Sequence, residues 1–257
     1  MMELLKFSND NAKFEATAEW YEEEHGCPLH LWGFSQPAGR GHSCPYAKDC
    51  DSKADRYTGK ITDGLMSKFR CWEATSESYQ KGMRAQSWYN LDLLRPIRTA
   101  EGQYDLIQRS LEELPRNVNA FRIHVGGDFW HQRYFDAWLR VAEANQQIQF
   151  YAYTKSLPYW VARLGYIPSN LELNASVGGT EDHLIDEYKL KYAMVVMSLQ
   201  QALDLKLEID IDERHAMFSG PPFGQLLHGT QPAGSEASKA LSILKATGEY
   251  HGYSRRK

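Results

Sequence analysis

The chain has 257 residues, with 29 lysines and arginines against 33 aspartates and glutamates, and a net charge of −4. Hydrophobic residues make up 42% and charged residues 24%, which supplies one large core and excludes global disorder. No run approaches the roughly 18–20 apolar residues of a membrane helix, and the net acidity argues against a general nucleic-acid coat. Residues Met1 to Phe14 lack the apolar centre of a signal peptide, so a cytoplasmic protein is expected. The charge is uneven: residues 33–98 hold eleven bases and seven acids. A solvated mixed face accounts for that excess as simply as a basic binding surface does.

In chain order, Leu29 to Ser35 reads as a first strand. Trp72 to Tyr79 is a helical stretch opened by Cys71, and Ser76 to Leu94 and Gln103 to Leu114 read as helices. Phe121 to Val125 is a strand ending in Gly126-Gly127-Asp128. Gln132 to Asn145 is an amphipathic helix with Phe135, Trp138, Leu139 and Ala142 on one side. The strand Gln149 to Tyr153 follows, then a short helix from Leu157 to Leu164 with Pro158 in its first turn. Leu171 to Val177 is a strand, Glu181 to Leu190 a helix and Ala193 to Met197 a strand. Leu199 to Leu203 is a helical turn, Leu207 to Ile211 and Gln225 to His228 are strands, and Ser235 to Thr247 closes the chain as a helix. Alternating units of this spacing predict a single α/β domain over 1–257: a partial βα, TIM-like barrel, or else an open doubly wound sheet. Either places ligands at the carboxyl ends of the strands.

The four cysteines, Cys27, Cys44, Cys50 and Cys71, all lie in the first 71 residues. In a reducing compartment such clustering points to a metal or redox site rather than to disulfides. The only short spacing is Cys44-x5-Cys50, which is not a zinc knuckle. Irregular loops suit an iron–sulfur cluster better, and the glycines and prolines around Gly33 to Pro45 give such a loop. Residues 27–71 therefore read as a cluster-bearing region, with Cys44, Cys50 and Cys71 as ligands. Cys27 either completes the set or leaves one iron open. Buried apolar thiols are the plainer reading.

Four segments resemble the phage gene-product-eighty-eight family: FSQPAGRGHSCPYAKDC (34–50), FRIHVGGDFWHQRYFDAWLRVA (121–142), FYAYTKSLPYWVARL (150–164) and LLHGTQPAGS (226–235). The resemblance implies a phage origin and an iron–sulfur site. A more remote similarity is to radical S-adenosylmethionine enzymes, whose partial barrel sets a three-cysteine [4Fe–4S] loop after its first strand. It implies that Gly126, Gly127 and Asp128 hold the amino group of S-adenosylmethionine, and that Asn174 and Ser176 meet its carboxylate or ribose. Those enzymes pack their cysteines into one short loop, whereas here they span 28 positions from Cys44 to Cys71.

The remaining polar residues have competing readings. Lys155, His124 and His228 are candidate catalytic groups. The plainer readings are a surface lysine and a histidine bonded under a turn, with Asp128 capping the next helix. Asp210, Asp212, Glu213 and His215 form an acidic run expected to be a solvated strand edge, although it contains ligands for a hard metal. Three functions follow: an iron–sulfur protein with a redox or catalytic role, a metal-dependent hydrolase using His124, Asp128, His228 and Asp210 or Asp212, or a non-enzymatic protein with a structural or redox-sensing cluster. The partner is an unidentified small molecule or redox protein, and the sequence sets no oligomeric state.

Overall fold

The computed structural model describes residues 3–249; of the single domain expected over 1–257, residues 1–2 and 250–257 lie outside the described residues. The chain opens with β1 (Phe7–Ser8) and α1 (Ala12–His25). The Asn11 side chain accepts from the N–H of Lys13 and so caps α1. β2 (Leu31–Ser35) follows, then a long excursion holding the small hairpin β3 (Ser52–Ala54) and β4 (Ile61–Asp63). Next come α2 (Trp72–Tyr79), α3 (Lys81–Leu94) and α4 (Ala100–Glu112). The helix expected over Ser76 to Leu94 is therefore two, broken at Gln80, whose ψ of 86° leaves the helical region.

The repeating part runs through β5 (Ala120–Gly126), α5 (Gln132–Ala144), β6 (Gln149–Thr154), α6 (Leu157–Val161), β7 (Leu171–Ser176), α7 (His183–Tyr188) and β8 (Tyr192–Val196). It ends with α8 (Leu199–Asp204), β9 (Glu208–Ile209), α9 (Arg214–Met217), β10 (Phe223–Leu226) and α10 (Glu236–Ala246). Eight strands form one sheet in the order β1-β2-β5-β6-β7-β8-β10-β9, parallel except for β1. The TIM-like barrel expected from the sequence is not closed. β1 and β9 remain edges with one neighbour each, because two-residue strands offer too few hydrogen bonds to bring the ends together.

From β2 to β8 each strand adds on the same side of the last. Right-handed crossovers then lay the connecting helices on one face; α4 packs on α5, α5 on α6 and α6 on α7. Phe121, Phe150, Leu173 and Ala175 point into that layer, where the expected stripe of α5 (Phe135, Trp138, Leu139, Ala142) meets them. The other strand face is buried too. Phe14 of α1 and Ala216 and Met217 of α9 cover Leu31, Ala120, Tyr151 and Phe223. Burial on both faces is why these strands read as near-continuous apolar runs.

That second face also holds a buried ion network. Lys13 lies 3.3 Å from Asp210 and 3.5 Å from Glu213, and Arg122 bonds Glu213 at 2.8 Å. Nδ1 of His215 meets Asp210 at 3.0 Å, and Arg214 pairs with Asp212. The acidic run is thus not a solvated edge. Asp210 and Glu213 are wholly buried, because α1 brings a lysine over them that period-based reading of β9 could not anticipate. The hydrogen bond to Asp210 raises the His215 pKa despite partial burial. Burial pushes Asp210 upward, but His215 and Lys13 outweigh it and hold Asp210 below the usual carboxylate range. The raised histidine contributes stability in full below its unfolded value of about 6.5, and loses it as pH rises through the folded value. The lowered aspartate loses its contribution as pH falls below about 4. Urea midpoints of the wild type should therefore decline as pH rises above about 6.5, and the decline should flatten in His215→Asn. Equal slopes in the two proteins would contradict this.

Candidate functional site

The carboxyl ends of β5, β6, β7, β8 and β10 surround a cavity of about 700 Å³. The excursion between β2 and α2 forms its opposite wall and delivers Cys44, Cys50 and Cys71 to it. Each cysteine is placed by backbone bonds. The N–H of Cys44 donates to Gly39 O at 3.3 Å, and Cys71 directly precedes α2 with its carbonyl accepting from Thr75. Cys50 follows Asp49, whose N–H donates to Gly178 O at 2.9 Å. Ala47 bridges Gly179 beside it. Gly178 has φ +98° and its α-carbon faces Asp49 so closely that a Cβ there would lie 2.8 Å from the Asp49 Cβ. The glycine pair after β7 is thus the seat of the cysteine loop.

All three cysteines are free and half-buried, opening on the cavity. Burial raises the pKa values of Cys44 and Cys71, and negative charge on a neighbouring thiol raises them further; Asp128 adds to the effect at Cys44. Burial also raises Cys50, partly offset by the positive charge of Lys155. Among the described residues no three His, Cys, Asp or Glu side chains converge closely enough to hold a single metal ion. Ligands of a multi-iron cluster stand farther apart than those of one ion, each thiolate reaching a different iron. Three soft donors opening on one cavity fit that kind of group.

Cys27 is elsewhere. It is exposed just past the end of α1, beside Tyr21, and is not part of the cavity wall. It sits before the first residue of β2 while the cavity lies beyond the last, a separation of about 16 Å at the rise of a five-residue strand.

Asp128 is at the wall, buried, with both oxygens engaged. Oδ1 accepts from Thr154 Oγ1 at 2.6 Å and from the N–H of Phe129 at 2.7 Å; Oδ2 accepts from the N–H of Lys155 at 2.8 Å. Burial raises its pKa to about 6 against the pull of these bonds. Lys155 is buried rather than a surface lysine. Its ammonium donates to Ser176 O, Ser176 Oγ and Val177 O at 2.6–3.2 Å, beside Cys50. Ser176 is therefore at the cavity, whereas Asn174 is not. The Asn174 amide donates to Ala152 O and to Ala216 O of α9 on the far face.

His124 has φ +64° where the β2–β5 register shifts, and its ring packs on Phe129 and meets Tyr134 Oη at 2.9 Å. Burial, with help from Arg122, lowers its pKa to about 3, so it is neutral at neutral pH. His228 lines the cavity near Trp72, with Nδ1 donating to Leu226 O at 2.9 Å; burial lowers it to about 4. Of the set needed for a metal hydrolase, His124, Asp128 and His228 line the cavity, with the His124 ring turned onto Phe129 and Tyr134, whereas Asp210 and Asp212 belong to the ion network away from it. Among the cavity residues that carried no sequence signal of their own are Arg122 and Glu73. Glu73 stands over Gly126, where any Cβ would overlap its carboxyl. Its place two residues after Cys71 was the available clue.

Fold and site together define an open βα protein with a thiol-walled cavity at its strand ends. The chain belongs to the Gene product 88 family, whose pattern matches residues 3–245. It is similar to the Gene 88 protein of Mycobacterium phage L5, at 28% identity over 125 residues, which is 46% of this chain and 45% of that protein. The Gene 88 protein of Mycobacterium phage D29 is 26% identical over the same shares. The matches thus span less than half the length of these curated relatives. No solved structure matches. Among the described residues, no helix is long and apolar enough to cross a membrane.

Asp128→Asn would turn an amide N–H toward one of the donors that now approach the carboxylate. The expected cost is about 1–3 kcal/mol of stability, read from the denaturant midpoint. An unchanged midpoint would show that the three bonds do not brace the strand ends.

Proposed function

We propose that the protein is a phage iron–sulfur protein with a redox or catalytic role, holding a [4Fe–4S] cluster through Cys44, Cys50 and Cys71. The observation that carries this reading is the opening of three thiols, drawn from 28 positions of sequence, on one cavity. Three cysteines leave one iron without a cysteine, and the cavity beside them is within the size range of small-molecule sites. S-Adenosylmethionine is one candidate occupant. When bound, the cluster supplies one-electron chemistry.

The chain's own contribution is binding and orientation. The fixed ammonium of Lys155 favours the thiolate form of Cys50. Asp128 ties the ends of β5 and β6 together, and Ser176 holds Lys155 in place. The partial barrel, the cytoplasmic location and a small-molecule or electron-donor partner belong to the same reading.

Anaerobic reconstitution with iron and sulfide tests it. The wild type should take up four irons and four sulfides per chain, the content of the proposed cluster. Cys44→Ala, Cys50→Ala and Cys71→Ala should each lose most of that content, while Cys27→Ala keeps it. A reconstituted wild type free of iron and acid-labile sulfide would refute the proposal. Loss of the cluster in Cys27→Ala would instead indicate four cysteine ligands and a structural or electron-transfer role.

A further inference from the structure

We propose that Glu73 anchors a primary ammonium in this cavity, so that the small molecule bound there carries an amino group held by the Glu73 carboxyl. The inference rests on the reading that the cavity takes a small-molecule cofactor or substrate.

Glu73 lies in the first turn of α2, is 3% exposed and lines the cavity. Neither of its carboxyl oxygens meets a donor at good hydrogen-bond geometry; the hydroxyl beside it, that of Ser87, is itself unpartnered and supplies at most one neutral donor to the two oxygens. A buried carboxyl without partners is costly, and folded proteins rarely tolerate one that serves nothing. The neighbouring polar groups cannot take its place. Asp128, which the sequence pattern would favour as the acceptor, has both oxygens occupied by Thr154, Lys155 and Phe129. Lys155 donates to three oxygens, and Ser176 receives one of those bonds.

Gly126 makes the room that the Glu73 carboxyl itself fills. A side chain at 126 would run into the Glu73 carboxyl, so the carboxyl lies directly against bare backbone at the end of β5. An acceptor pair of this kind selects a ligand donor that carries positive charge. A divalent ion is disfavoured, since no third His, Cys, Asp or Glu among the described residues converges with it. An ammonium has three N–H donors and no acceptor, and it can satisfy both carboxyl oxygens at once.

Calorimetric titration of the reconstituted full-length protein tests the assignment, with S-adenosylmethionine and its keto analogue as probes. The analogue keeps the sulfonium charge and replaces the amine with a ketone. The wild type should bind the amine about tenfold or more tightly than the ketone, and Glu73→Gln should bind the two alike while retaining its iron and sulfide. Equal binding of the two probes by the wild type, binding of neither, or a preference kept in Glu73→Gln would overturn the proposal. The wild-type comparison depends on no variant, so a misfolded Glu73→Gln does not blunt the test. The same titrations on protein without added iron separate the two readings. A chain that takes up no cluster yet still prefers the amine refutes the iron–sulfur assignment and supports Glu73.

Discussion

The N–H of Asp49 donates to the carbonyl of Gly178, and Ala47 bridges Gly179 one step away. Through these contacts the end of β7 seizes a loop that left the sheet after β2, three positions away in the strand order. The excursion has little hydrophobic content of its own; its hairpin is three residues to a strand. Without that hold, Cys50 would have no fixed position relative to Cys44 and Cys71, and the cavity would lose its outer wall. Gly178 is the constraint within the constraint. Its positive φ and its contact with Asp49 both require a bare α-carbon.

The sheet itself is supported on two sides by different physics. Aromatic and aliphatic packing from α4 to α7 covers one face. On the other, α1 and α9 add an apolar patch and then a chain of charges, Arg122–Glu213–Lys13–Asp210–His215. Burying so many ions is stabilising only because each has a partner; removing one member leaves the others exposed to the full cost of desolvation. Arg122 belongs to both worlds, since it ends this chain and also reaches the cavity wall.

The strand–helix alternation and a cavity at the strand ends were legible because both leave local marks: the period of apolar residues, and glycine clusters such as Gly126-Gly127 and Gly178-Gly179. α1 was not, because EATAEWYEEEH shows no apolar stripe and is held by Asn11, Phe14 and Lys13 instead. The burial of Asp210 and Glu213 depends on a lysine 197 residues away in sequence for the first of them, which no local window contains. Asp128 was legible as a wall residue, yet the sequence does not say which oxygens are spent. That is a matter of where Thr154 and the Lys155 N–H come to lie. Open or closed barrel likewise hinges on two-residue strands at the margins, too short to register as periodic.

Cys71 directly precedes α2, and Glu73 lies in that helix's first turn, about 3 Å farther along its axis. Glu77, one turn on, accepts from the N–H of Ala38 and so ties the same helix to the start of the cysteine loop. One short rod thus carries a sulfur donor at its tip, a cavity carboxyl beside it and a tether behind. A shift of that rod by a fraction of a turn displaces all three together, so a state in which the sulfur is released is also one in which the carboxyl is out of register.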